Sequence, residues 1–180
     1  MPATLRLATS PAPRLARRAE TGFKVFHHAI HLQTKEGLQF IDLTREISDI
    51  VAASGIANGM VNVQTRHTTT AVIVNEHEPL LLEDLKDALE RLAPQELYYR
   101  HNDFAIRTAN MTPDESPNGH SHCRSLLLAS SATLNIIDGE LQLGRWQSIF
   151  FIELDRARAR TVAVTVMGQP AAPAAFDWSA

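Results

Sequence analysis

Arg160-Thr161-Val162-Ala163-Val164-Thr165-Val166-Met167 places valine at every second position, against Ala163, Thr165 and Met167. A period of two puts successive side chains on opposite faces of a strand, so this segment reads as a sheet strand with one apolar face. Reading outward from it, strand signals recur. Gly59 to Thr65 alternates in the same way, and Ala71-Val72-Ile73-Val74 is a short apolar run suited to a buried strand. Thr133 to Ile137 and Arg145 to Leu154 are further strands, and Asp138-Gly139 is a tight-turn signal. Phe23 to Leu32 and Leu38 to Leu43, joined through Thr34-Lys35-Glu36-Gly37, are expected to pair as a hairpin.

Helical periodicity interrupts this pattern. Thr44 is expected to cap a helix with Ile47, Ile50 and Val51 on one face and Gly55 at its end. Pro79 opens a second helix, Leu82, Leu85, Leu89 and Leu92 form its apolar stripe, and Pro94 stops it. His120 to Ser130 reads as a third. Between the last two, Gln95 to Gly119 is a loop too long for a mere connector, which in compact domains points to function. The fold class is α+β: a single compact domain of mixed or mostly antiparallel sheet packed with two to three helices. It is expected to span 22–168, after a flexible arm (1–21) and before a loose Pro/Ala-rich tail (169–180).

Composition narrows the function. Across 180 residues, 44% are hydrophobic and 21% charged, as in ordinary globular domains. The net charge of -3 gives no global positive field, so nucleic acid is not an expected partner. No apolar run reaches the roughly 20 residues that span a bilayer. The arginines of the first 18 residues follow the weakly apolar part instead of preceding it, unlike a secretory signal. The lone cysteine, Cys123, excludes an internal disulfide and a multi-cysteine zinc cage. It is expected to be a small buried or semi-buried side chain, and the compartment to be the cytoplasm. Phosphate-loop, dinucleotide-glycine and nucleophile-elbow motifs are missing, so no nucleotide cofactor is expected.

Two chemistries stand out. Eight histidines offer ligands for a zinc-like ion, for which catalytic sites often use three protein ligands and one open position. His67 leaves a strand ahead of three threonines, His101 enters the long loop, and His120 and His122 end it. If the helix already includes His120, only one of that pair joins a given site; if His120 is extended, both point one way. His27, His28 and His31 share a strand and alternate in facing, which makes a three-ligand site there poor. The second chemistry is anion binding. The helix start after Asn118-Gly119 offers backbone N–H groups, and Arg158 and Arg160 lie on one side of a strand. A solvated edge strand is the competing reading for the arginines, and packing the competing one for Trp146.

The motifs His67-Thr68-Thr69-Thr70-Ala71, Asn75-Glu76, Tyr99-Arg100-His101, His122, Gly139-Glu140-Leu141-Gln142-Leu143-Gly144-Arg145-Trp146-Gln147, Glu153-Leu154-Asp155, Arg158-Ala159-Arg160 and Val166-Met167-Gly168 occur in order over about residues 22–168. In this the chain resembles the YjbQ-like proteins, the secondary thiamine-phosphate synthase family. Arg145 stands where a small residue, commonly Thr, is usual, and His120-Ser121 departs from the segment usual before His122. The resemblance implies a small α+β domain assembling as a homotrimer, with polar pockets near the subunit interfaces. It also implies thiamine phosphate synthase activity, joining a hydroxymethylpyrimidine pyrophosphate to a thiazole phosphate.

By position, the resemblance carries over His67, Asn75, Glu76, His101, His122, Trp146, Gln147 and Arg160. His67, His101 and His122 are expected to hold a divalent metal, zinc or magnesium, or to polarise a phosphate. Glu76 is expected to act as base or to orient a histidine, and His120 to help bind the anion. Arg158, Arg160 and the helix start are expected to bind phosphate, with Asn75, Trp146 and Gln147 as further substrate contacts. A metal-dependent hydrolase of a small anionic metabolite and a non-catalytic trimeric metabolite binder are the alternatives.

Overall fold

The computed structural model describes residues 22–171. The expected arm and all but the first residues of the expected tail lie outside that span. Eight strands form two sheets in which every pairing is antiparallel. The first contains β1 (Lys24–Gln33), β8 (Ala159–Pro170), β3 (Ile56–Thr65), β5 (Ser131–Ile137) and β6 (Glu140–Leu141), in that order; the second contains β2 (Gln39–Asp42), β7 (Gln147–Glu153) and β4 (Thr70–Glu76). Three α-helices complete the domain: α1 (Thr44–Ser54), α2 (Pro79–Leu92) and α3 (Gly119–Leu127). β8 runs two residues past the expected domain end at Gly168.

The alternating β8 is an interior strand of its sheet, between β1 and β3. Val162, Val164 and Val166 are buried, and they meet Ile30, Val61, Val63 and Ile136 from neighbouring strands and Ile47, Ile50 and Val51 from α1. β7 lies between two cores. Ile149 and Phe151 join the first, while Phe150 and Ile152 join Ala71, Leu89 and Leu154 beneath α2. A strand covered on both faces needs no alternation, which explains the unbroken run Ile149-Phe150-Phe151-Ile152.

The hairpin expected between Phe23–Leu32 and Leu38–Leu43 does not form. β1 pairs with β8 over ten residues, from Lys24↔Gly168 to Gln33↔Ala159, and β2 pairs with β7. The turn at Thr34–Leu38 carries the chain from one sheet to the other. A ten-residue ladder on β8 satisfies more backbone groups than a four-residue hairpin would. The Asp138-Gly139 turn does form, with positive φ at both residues (52° and 82°), the geometry of a type I′ hairpin between β5 and β6. Gly55 ends α1 in the left-handed conformation as expected, but Thr44 does not cap the helix. Its hydroxyl accepts a hydrogen bond from Ile149 N–H instead (2.9 Å), tying α1 to β7. In α2 only Leu89 is fully buried, and Leu92, at the end of the expected stripe, is largely exposed.

Candidate functional site

Where β3 and β8 stop running side by side, the chain opens a cavity of about 980 Å³. Its lining includes His67, His101, His122, Arg66, Arg100, Arg107, Arg158, Arg160, Glu115 and Asn118. His67 lies two residues beyond β3, and its Nε2 accepts a hydrogen bond from the Thr161 backbone N–H of β8 (2.8 Å). A backbone N–H only donates, so the neutral ring must carry its proton on Nδ1. Burial, reinforced by the charge of Arg160, holds the His67 pKa below its usual 6.5 and favours that neutral form.

The wall is strongly basic. Arg160 is buried and held by Glu153 through two hydrogen bonds of 2.6 Å, with a third to Thr69 Oγ1 (3.1 Å). Glu153 is itself fully buried and also accepts from Thr34 Oγ1 (3.1 Å). Thr34 in turn exchanges backbone and side-chain hydrogen bonds with Arg158, fixing the loop that presents it. Gly37 makes room for this loop: a Cβ there would stand 2.5 Å from the Asp155 carbonyl oxygen. Arg107 is committed to the long loop, through the carbonyls of His101, Ala109 and Asn110 and an ion pair with Glu115 at 3.3 Å. Arg66 and Arg100 form no ion pair among the described residues, and the Arg158 Nε to Asp155 Oδ2 separation of 3.6 Å is too long for a hydrogen bond. Three guanidinium groups therefore face the cavity with donors to spare.

His101 and His122 stand edge to face, with ring centroids 4.6 Å apart. Burial lowers the His122 pKa, and the neighbouring His101 and Arg107 lower it further. The ring is therefore neutral, and the positive charge around it opposes protonation. The helix start is less open than expected: Asn102 Oδ1 accepts from the N–H groups of Asn118 (3.0 Å) and Gly119 (2.8 Å), so those donors are not free for an anion.

Other sequence-selected residues lie elsewhere. α3 begins at Gly119, so His120 and His122 diverge, and His120 is buried beside Tyr99 (6.4 Å between centroids), outside the lining. Asn75, Glu76, Trp146 and Gln147 sit at the opposite end of the second sheet, with Asn75 paired to Ser148 and Glu76 to Gln147. Six steps along β4 separate Glu76 from the cavity end, roughly 20 Å. Asn75 accepts from Glu76 N–H (2.9 Å), and Gln147 Oε1 accepts from Gly144 N–H (2.7 Å). Trp146 does not pack in the core; the residue is 61% exposed, and the Arg145 guanidinium lies 4.6 Å from the centre of its ring. Cys123, expected at least half-buried, is exposed. Sequence reasoning missed Arg66, Arg100, Arg107, Glu115 and the carboxylates of Glu153 and Asp155 as parts of the site.

The three-histidine metal set does not fit. The only ring nitrogen of neutral His67 with a free lone pair is the one Thr161 occupies. Among the described residues, no three His, Cys, Asp or Glu side chains are placed to hold an ion. Magnesium prefers oxygen ligands, and the one carboxylate in the lining, Glu115, is paired with Arg107.

A fold built around this cavity has known relatives. The profile of UPF0047 proteins, YjbQ-like, matches residues 28–169. The chain belongs to the YjbQ-like UPF0047 family. A UPF0047 protein of Methanothermobacter thermautotrophicus is 40% identical over 147 residues, covering 82% of this chain and 95% of that one. A solved YbjQ-like protein of unknown function from Sulfolobus solfataricus P2 superposes with a TM-score of 0.74 at 30% identity, covering 82% of this chain and all of that one. A YjbQ/UPF0047 family protein of Clostridium acetobutylicum gives 0.68 at 32% identity, covering 77% and 98%. The two solved structures share the fold described above.

Proposed function

We propose that the cavity binds a small phosphorylated metabolite and lowers the barrier to departure of a phosphate or pyrophosphate group. The observation that carries this reading is the set of guanidinium groups with unused donors, Arg66, Arg100 and Arg158, beside buried Arg160. Guanidinium recognises phosphate oxygens through paired hydrogen bonds, and preorganised charge acts most where charge develops in the transition state. The reaction best matched to this site is the thiamine phosphate synthase step. The thiazole nitrogen bonds to the methylene carbon of the pyrimidine, and the bond from that carbon to the pyrophosphate oxygen breaks. Pyrophosphate leaves with the electron pair, toward the arginines and the His67 Nδ1–H. The test is to supply both precursors to purified protein: thiamine phosphate should appear, and should fall to background in the Arg66→Ala/Arg100→Ala double variant. Equal product from both proteins, or none from either, contradicts the transferase reading.

Assembly as a homotrimer in the cytoplasm is part of the proposal. The outward face of the first sheet supports it. Across β1, β8, β3 and β5 that face carries Val25, His27, Ala29, His31, Ala163, Thr165, Met167, Met60, Asn62 and Thr133, and no Asp, Glu, Lys or Arg. An uncharged, broad sheet face is what an interface core requires. Among the described residues no helix is long and apolar enough to cross a membrane.

A further inference from the structure

Arg158 ends the turn between β7 and β8, and Arg160 is the second residue of β8; both line the cavity. Their placement depends on one hydroxyl from a distant segment. Thr34 follows the last residue of β1, at the start of the crossover to the second sheet, and is 1% exposed. Its Oγ1 accepts from the Arg158 backbone N–H (2.8 Å), and its own N–H donates to the Arg158 carbonyl (3.0 Å). The same hydroxyl donates its single proton to Glu153 Oε2 (3.1 Å), a stronger acceptor than a carbonyl already served by an N–H. Glu153 is the carboxylate that fixes Arg160, through Nε and Nη2 at 2.6 Å each, and it also accepts from Asp155 N–H (3.0 Å). Glu153 thus holds the start of the turn and Thr34 its end. Thr34 and Glu153 are both closed to solvent, so water does not replace a lost hydroxyl there.

The donors left over belong to the cavity. Arg160 Nη1 and both terminal nitrogens of Arg158 form no hydrogen bond among the described residues, while Arg158 Nε faces Asp155 Oδ2 at 3.6 Å. Building on the anion reading above, we infer that Thr34 is a positioning residue: its hydroxyl sets the spacing of Arg158 and Arg160, so that a diphosphate engages both guanidinium groups where a single phosphate engages one. Thr34 is not part of the lining and touches no ligand. It acts through the two arginines, which are ordered before the anion arrives and lose little freedom on binding it.

Isothermal titration of the full chain with inorganic pyrophosphate and with inorganic phosphate tests this in Thr34→Val and Thr34→Ser. Valine keeps the shape of threonine without the hydroxyl, and serine keeps the hydroxyl. Thr34→Val should weaken pyrophosphate binding about tenfold, and phosphate binding by about twofold or less. Thr34→Ser should bind both anions within about twofold of the wild-type protein. If Thr34→Val does not fold, Thr34→Cys takes its place, because a thiol is a weak donor and acceptor, and the same split between the two anions is expected. An unchanged pyrophosphate affinity without the hydroxyl, equal losses for the two anions, or a serine variant as weak as the valine one overturns this inference and leaves the anion reading standing. Failure of both anions to bind the wild-type protein overturns the anion reading and this inference with it.

Discussion

Two groups of three histidines differ in setting, one along β1 and one around the cavity, and only the second converges. His27, His28 and His31 fall within five positions of β1, yet the strand alternation separates them. His27 and His31 face outward opposite Thr165 and Thr161, and His28 takes the other side opposite Val164. His67, His101 and His122 are tens of residues apart in the chain but line one cavity. The surroundings differ as sharply. The outward face of the first sheet is uncharged across four strands, whereas five arginines line the cavity. Closeness along the chain is thus a poor guide to a ligand site on a strand, where a period of two works against convergence. Residue 161 connects the two regions: its hydroxyl lies 3.4 Å from His31 on the outer face, and its backbone N–H fixes His67 in the cavity.

The largest expected effect is on the cavity side. Arg160→Met leaves the carboxylate of Glu153 buried without its partner, and should lower unfolding free energy by about 3–5 kcal/mol in urea denaturation. A loss below about 1 kcal/mol would mean the pair is solvated. On the sheet side, Ala163→Arg places a charge in the middle of the uncharged face. It should convert the proposed trimer to monomer in light scattering with little change in helix content; a monomer mass before the substitution, or an unchanged trimer mass after it, contradicts the proposal.

Smaller effects sharpen the contrast between committed and uncommitted arginines. Arg66→Ala and Arg100→Ala should each change stability by less than about 0.5 kcal/mol, yet each should weaken pyrophosphate binding about tenfold. Stability should also depend on pH through the buried histidines. His67, His120 and His122 have pKa values below the 6.5 of the unfolded chain, with burial the leading cause for each. Below pH 6.5 the unfolded state therefore binds more protons than the folded one. Unfolding free energy should rise as pH increases toward about 7, and fall as pH drops through 6.5 toward the lowered folded values. His67→Gln and His122→Gln should flatten that slope in chemical denaturation; an unchanged slope in both would contradict the assignment.

Much of the fold was legible in the chain because period and punctuation act locally. The alternation of β8, the Asp138-Gly139 turn, the Pro79 helix start and the Gly55 stop each depend on neighbours in sequence. The partner of β1 was not legible, because pairing is decided by the longest available ladder, and β8 lies more than a hundred residues away. The site divides the same way. His67, His101, His122, Arg158 and Arg160 stood out by residue type and motif. Arg66 and Arg107 carried no such mark, and Arg100 stood in the Tyr99-Arg100-His101 motif without a role, because an arginine outside regular strands reads as a solvated charge until the fold turns it inward. Asn75, Glu76, Trp146 and Gln147 share motifs with site residues, but the length of β4 and β7 carries them to the far end of the sheet.

The central claim, that three distant imidazoles and their arginines form one anion site, is tested most directly by histidine side-chain NMR during titration with inorganic pyrophosphate. The account predicts that the ring signals of His67, His101 and His122 shift together along one saturating curve, while those of His27, His28 and His31 stay in place. Independent curves for the three cavity rings, or shifts confined to the histidines of β1, would contradict it.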